Sequence, residues 1–312
     1  MNLFNLKGQV AIITGSSRGI GKAIAERMAE HGAKVVISSR KAPACQEVVD
    51  AINARHGANT AISVPANISS KAELENLVAV AKREFGKVDI LVCNAASNPY
   101  YGPQANIADD QFRKILDNNI VANHWLISYV VPEMIARRAG SIIIVSSIGG
   151  LKGSPVIGAY GISKAADMQL ARNLAVEYGP HNIRVNCIAP GLVKTDFARA
   201  LWEDEANLAK RVSTTPLRRI GEPDEIAGAA DPLTRTFLVK ADMGSSALTK
   251  SVRLGQTATV VVELPRISGV AKLPLSALRV APPAMPRYCS RSRHETSTVS
   301  EPSLVTRSRI RS

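Results

Sequence analysis

The sequence predicts a doubly wound α/β fold, a parallel sheet covered by helices on both faces. Three observations carry that expectation. Short β-rich apolar runs alternate with helical stretches of ten or more residues as far as Ile188. The first run passes straight into a glycine-rich loop and then a helical pattern. The chain has 312 residues and 46% hydrophobic content, enough for one large core with an appendage.

Taken in order, Val10-Ala11-Ile12-Ile13 reads as a buried strand. It ends at Thr14-Gly15-Ser16-Ser17-Arg18-Gly19-Ile20-Gly21, and a helix follows with Ile20, Ile24 and Met28 on one face and Gly32 as its stop. Residues 33–39 read as the second strand, Pro43–His56 as the second helix, and residues 61–64 as the third strand. Ser69 or Ser70 caps a helix that runs to about Phe85 and stops at Gly86. Val88–Val92 is the fourth strand and leads to Cys93-Asn94-Ala95-Ala96. A long helical stretch begins near Asp109 and passes Pro132 with at least one break. Residues 141–145 form the fifth strand, Gly158–Tyr178 a helix, and Ile183–Ile188 the sixth strand before Pro190-Gly191. Ligands in such sheets sit at the carboxyl ends of the strands. The glycine loop, Asn94, Ser147 and Pro190-Gly191 all follow strand ends, so one edge of the sheet collects them.

Composition removes several classes. No apolar run approaches the roughly 18 residues needed to span a bilayer. The start lacks a signal-peptide core, and a cytoplasmic protein is the default expectation. Four scattered cysteines and five histidines show neither a disulfide framework nor a metal-ligand spacing. The net charge of +13 is uneven: residues 231–312 hold 13 Lys and Arg against 5 Asp and Glu. The high pI therefore belongs mainly to the tail, which lacks the aromatic interleaving of a nucleic-acid module.

The chemistry centres on Tyr160 and Lys164, four residues apart and one helical turn from each other. An ammonium beside a phenol favours the phenolate and so draws the phenol pKa down from its reference of about 10. Such a tyrosine can exchange a proton near neutral pH. Ser147 lies thirteen residues earlier, at the end of the fifth strand, where a hydroxyl can hold a substrate oxygen. A Tyr–Lys pair at this spacing also occurs on ordinary helix faces, so the rest of the chain must support it. Gly15, Gly19 and Gly21 let the backbone approach a pyrophosphate at a helix N-terminus. No carboxylate stands at the end of the second strand, where it would bond the ribose of NAD. Ser38-Ser39-Arg40 is there instead, and Arg40 with Arg18 can pair with a 2′-phosphate, which favours NADP over NAD.

This combination resembles the short-chain dehydrogenase/reductase family across roughly residues 5–230. The matching motifs are Thr14 to Gly21, Asp89-Ile90-Leu91-Val92-Cys93-Asn94-Ala95, Asn118-Asn119, Ser147, Tyr160 with Lys164, and Pro190-Gly191 with Thr195. It looks most like bacterial 3-oxoacyl carrier-protein reductases and broad alcohol or ketone dehydrogenases. The resemblance implies a single-domain Rossmann-type fold and an NADP- or NAD-dependent oxidoreductase that interconverts a ketone and a secondary alcohol. Tyr160 would be the acid or base, Lys164 would tune it and hold the nicotinamide ribose, and Ser147 would polarise the substrate oxygen. Asn119 would anchor a water in a proton relay, with Asn118 and Ser146 as near neighbours of the assigned positions. The implied cofactor site comprises Gly15, Ser17, Arg18, Gly19, Ile20, Gly21, Ser39, Arg40, Asn67, Ile68, Asn94, Ala95, Tyr160, Lys164, Pro190, Gly191, Val193 and Thr195. Residues Phe197 to Trp202 would form a lid, with Leu201 and Trp202 pointing to an apolar ligand; a plain amphipathic helix is the alternative reading of the same stretch. The expected partners are a small carbonyl or alcohol substrate and, as in the family, further copies of the chain, with no metal, membrane or nucleic acid.

Three departures stand out. Ala96 replaces the glycine of the family's Asn-Ala-Gly, and Asn67 stands where an aspartate is usual. After about residue 230 the pattern changes altogether. The family continues to a last strand and Asp-Gly-Gly, whereas residues 231–312 form a basic tail without that triplet. Residues 256–264 are the one candidate for a replacement strand, and the Ser/Arg/Pro-rich part from about 281 reads as disordered. Out-of-frame translation would produce such a change. An alternative reading is therefore a catalytically impaired relative whose last strand and helix are replaced, which leaves homo-oligomer formation open.

Overall fold

The computed structural model describes residues 5–228. Six strands form one parallel sheet in the order β3-β2-β1-β4-β5-β6. They are β1 Val10–Thr14, β2 Lys34–Ser38, β3 Ala61–Ser63, β4 Ile90–Cys93, β5 Gly140–Val145 and β6 Ile183–Ile188. The helices between them are α1 Gly19–Glu30, α2 Ala42–His56, α3 Lys71–Phe85, α4 Asp109–Leu116, α5 Ala122–Arg137 and α6 Gly158–Tyr178. Strand order reverses between β1 and β4, and that switch point opens the crevice that such sheets use for ligands. The doubly wound fold read from the sequence is the fold observed.

Side-chain alternation along the strands explains why both faces are covered. Leu91 and Cys93 of β4 and Ile142 and Ile144 of β5 pack with Leu74 and Leu77 of α3, Leu126 and Val130 of α5, and Leu174 of α6. Their neighbours Ile90, Val92, Ile143 and Val145 face the other way, onto Ile24 and Met28 of α1 and Val48 and Ile52 of α2. Continuous apolar runs in the sequence thus record strands buried on both sides.

Local signals set the element ends. Ser70 caps α3 by accepting the Glu73 N–H at 3.3 Å, and Gly86 ends it in the left-handed region at φ +82°. The break in the long stretch after Asp109 is a π-helical segment, Asp117–Val121, and not Pro132, which is accommodated inside α5. After β6 the chain forms short helices, α7 Arg199–Trp202, α8 Glu205–Val212 and α9 Pro223–Ala227. The last begins with a capping box between Glu222 and Glu225. Arg219 forks onto both Glu225 oxygens at 2.6 and 2.7 Å. Bonds from Arg219 and the Glu222 N–H hold the Glu225 carboxyl down at about 2. The boundary near 230, the basic tail, the candidate strand at 256–264 and the disorder expected from about 281 lie outside the described residues. Among the described residues no helix is long and apolar enough to cross a membrane.

Candidate active site

The carboxyl ends of β1, β2, β4, β5 and β6 open onto one cavity of about 1360 Å³. At its floor, the loop after β1 is shaped by its glycines. Gly15 and Gly19 have φ of +66° and +56°, in the left-handed region. A Cβ on Gly21 would stand 2.4 Å from the Gly15 carbonyl oxygen and 2.5 Å from Asn94 Nδ2, so only glycine fits. Arg18 leaves the N-terminus of α1 without a side-chain cap, and Gly19 and Ile20 line the cavity there. Uncapped N–H groups and a bare backbone are the donor set a pyrophosphate needs, and the residues present fit a dinucleotide.

Three small polar residues hold this loop against the sheet. Asn94 Nδ2 donates to the carbonyl oxygens of Thr14 and Gly15 at 2.8 and 3.3 Å. The Thr14 hydroxyl accepts the N–H groups of Asn94 and Ala95, both at 3.0 Å. Ser16 donates to the Ile13 carbonyl and accepts the Ser38 N–H, at 2.7 and 2.9 Å, which ties β1 to β2. Sequence reasoning missed Ser16, whose only signal was its place inside the glycine loop. At the outer end the cavity is lined by Arg18, Ser39, Arg40 and Lys41. Arg18 also bonds Asp196 at 3.2 Å.

At the other end stand Ser147, Tyr160 and Lys164, all on the cavity wall. Ser147 Oγ accepts the Gly149 N–H at 3.0 Å, which fixes its position and leaves its proton for the cavity. Ser146 is buried, and its hydroxyl donates to the Lys164 carbonyl at 2.7 Å. Glycines let the Ile148–Gly150 turn lie flush on α6. A Cβ on Gly150 would meet Lys164 and Ala165 backbone at 2.6 Å, and one on Gly161 the Gly149 oxygen at 2.9 Å. Those glycines carried no weight in the sequence reading, because nothing local marks a close approach of distant segments. Lys164 is 2% exposed, and its amine lies 5.7 Å from the centre of the Tyr160 ring. It donates to the Val145 carbonyl at 2.9 Å and to Asp167 Oδ2 at 2.8 Å. Burial opposes its charge, but Asp167 and then Tyr160 more than offset that and hold its pKa above the usual lysine value.

Asn119 is fully buried and lies off the cavity wall, unlike Asn118. Its amide accepts the Ser97 N–H at 2.8 Å and donates to the Ser97 carbonyl and the Ser163 hydroxyl at 3.1 and 3.0 Å. Its side chain therefore braces the loop after β4 against α6. Gly21 also lies off the wall, behind the loop. Every other expected site residue lines the cavity. Over the top, Phe197 stands 6.0 Å from the Tyr160 ring, and Ala198, Ala200 and Leu201 line the space. Trp202 does not line it. Its indole N–H donates to the Thr195 carbonyl at 2.9 Å, which makes it a peg for the lid and corrects its reading as a ligand contact.

The chain is similar to known proteins over most of its length. A family model described as enoyl-(acyl carrier protein) reductase matches residues 15–236. Dehydrogenase/reductase SDR family member 4 of Bos taurus is 45% identical over 224 residues, which is 72% of this chain and 79% of that one. A solved 7α-hydroxysteroid dehydrogenase, complexed with NADH and 7-oxo glycochenodeoxycholic acid, is 37% identical with a TM-score of 0.68; the match covers 73% of this chain and 88% of that one. A gluconate 5-dehydrogenase from Burkholderia cenocepacia J2315, in complex with NADP and tartrate, is 29% identical with a TM-score of 0.70; the match covers 75% of this chain and 90% of that one.

Proposed function

This chain belongs to the short-chain dehydrogenase/reductase family of NAD(P)-dependent oxidoreductases, and from that premise we propose that it interconverts a ketone and a secondary alcohol with NADP. The observation that carries the reading is the convergence of Ser147, Tyr160 and Lys164 on one wall of a cavity whose floor is a dinucleotide cradle. A bound nicotinamide would supply or accept the hydride. The chain's own residues do the rest. Ser147 holds the substrate oxygen through its free proton, and Tyr160 gives that oxygen a proton in reduction or takes one in oxidation. Lys164, fixed by Val145 and Asp167, keeps a positive charge beside the phenol and would hold the nicotinamide ribose. Asn119 acts on this reading by holding Ser97 and Ser163, and through them the wall around Tyr160. The lid of Phe197 and Leu201 excludes water from the reacting carbon.

NADP is favoured by Arg18, Arg40 and Lys41 at the adenosine end, with no carboxylate at the end of β2. Arg211, 3.4 Å from the Tyr101 hydroxyl, places a cation on the substrate side, beside the apolar lid. The test is oxidation of NADPH and of NADH, in parallel, with a panel of ketones and 3-oxoacyl thioesters, for the native chain and Tyr160→Phe. Turnover with NADPH that Tyr160→Phe loses by two or more orders of magnitude is expected. No turnover by folded native protein would refute the enzyme reading, and equal turnover in both proteins would refute the role of Tyr160.

A further inference from the structure

The catalytic lysine has a buried counter-charge that the reaction described above does not require. Asp167 is 0% exposed, one turn beyond Lys164 on α6. Its Oδ2 accepts from Lys164 at 2.8 Å, and its Oδ1 accepts from Asn123 Nδ2 of α5 at 3.0 Å. Asn123 Nδ2 also donates to the Asn119 carbonyl oxygen at 2.7 Å. Lys164, Asp167, Asn123 and Asn119 thus form one continuous chain from the cavity wall to the π-helical segment. An aspartate without solvent in a helix otherwise packed with Met168, Ala171 and Leu174 costs far more than an aliphatic residue, unless the charge it faces needs it.

We propose that Asp167, oriented by Asn123, is a positioning residue that holds Lys164 charged and in place for proton transfer at Tyr160. Three arguments support it. Two of the three ammonium hydrogens are fixed, on Val145 and Asp167, which holds the amine over the Tyr160 ring and leaves one hydrogen for a further acceptor. Removing the carboxylate would leave a buried ammonium with the Val145 carbonyl but no counter-charge, and such a group gives up its proton. Asn123 selects the ionised form of Asp167, because its N–H donates to an acceptor oxygen. The groups that face this pair are Tyr160 on the same helix, the Cys93 thiol of β4 and the Cys187 thiol of β6. Burial raises both thiols, Cys187 to about 11, so neither supplies a competing charge near neutral pH.

The sign of the expected pH effect follows from Lys164. Without the Asp167 charge, Lys164 loses its proton at lower pH. Ketone reduction needs that charge beside Tyr160, so its alkaline limb moves down.

This inference rests on the reading of the site as a ketone reductase. Its test uses the full chain, with Asp167→Asn keeping the shape and Asn123→Leu removing the orienting donor. Three quantities are measured: the pH profile of kcat for NADPH-dependent reduction, NADPH affinity against pH by fluorescence titration, and thermal unfolding. Asp167→Asn is expected to lower kcat on the order of tenfold or more and to move the alkaline limb down by about one pH unit. The alkaline fall in NADPH affinity should move the same way. Asn123→Leu should move both limbs in that direction by less. Unmoved limbs in a folded Asp167→Asn protein would overturn the proposal. If that protein does not fold, unmoved limbs in folded Asn123→Leu overturn it instead. A native chain that binds NADPH but reduces nothing refutes the ketone-reductase reading alone, because the binding limb still reports on Lys164.

Discussion

Gly21 shows how much of this site depends on an atom that is missing. It lies off the cavity, yet a Cβ there would overlap the Gly15 carbonyl and the Asn94 amide, the two groups that lock the glycine loop to the end of β4. Gly21→Ala must push the loop away from Asn94. We expect a loss of about 1–3 kcal/mol in stability, as for other overpacked sites, together with a large fall in NADPH affinity. Urea unfolding and fluorescence titration would show both. Equal affinity in the variant would mean that the loop can shift without spoiling its phosphate contacts. Ser147 and Ser146 make the same point about residues that are adjacent in sequence. Only their bonds separate them, one hydroxyl on the Lys164 carbonyl and the other left for substrate. The thirteen-residue spacing to Tyr160 pointed to Ser147, and the bond from Ser146 is the physical reason that the neighbour is a brace.

At the scale of elements, the strands and the helices that cover them were legible because their burial is written as apolar periodicity. Gly158–Tyr178 and Ile183–Ile188 fall where the pattern places them. The π-helical turn at Asp117–Val121 was not legible. It depends on Asn119 and Asn123 finding partners on Ser97, Ser163 and Asp167, and such long-range bonds leave no local trace. The stretch after Thr195 was legible as a lid but not in its orientation. The apolar bulk of Trp202 suggested an apolar ligand, whereas its N–H anchors the α7 turn to Thr195. Trp202→Phe removes that single hydrogen bond, worth about 1 kcal/mol net, and keeps most of the packing. The lid should close less well. We expect KM for ketone substrates to rise severalfold, with NADPH affinity and the unfolding temperature nearly unchanged. A variant with unchanged KM would show that the indole bond has no part in closure.

For the whole molecule, the support of the site turns on the edge of the sheet. Among the described residues β6 pairs with β5 along its full length and has no strand on its other side. β6 also delivers Pro190 and Gly191 to the cavity, and the Ile148 N–H bonds the Pro190 carbonyl at 3.0 Å. Any splaying of β6 would therefore reach the turn that positions Ser147. An unpaired parallel strand is both a template for aggregation and a poor support for a rigid site. The family pattern closes this edge with a last strand ending in Asp-Gly-Gly, a triplet that residues 229–312 do not contain. A chimaera that keeps residues 1–228 and continues with the corresponding strand and helix of a family member tests whether the edge limits the protein. If it does, the chimaera should unfold at a temperature several degrees higher, scatter less light on heating and show a higher kcat with unchanged NADPH affinity, because the cradle lies on β1 and β4, away from β6. An identical unfolding temperature and kcat would mean that the edge at β6 does not limit the protein.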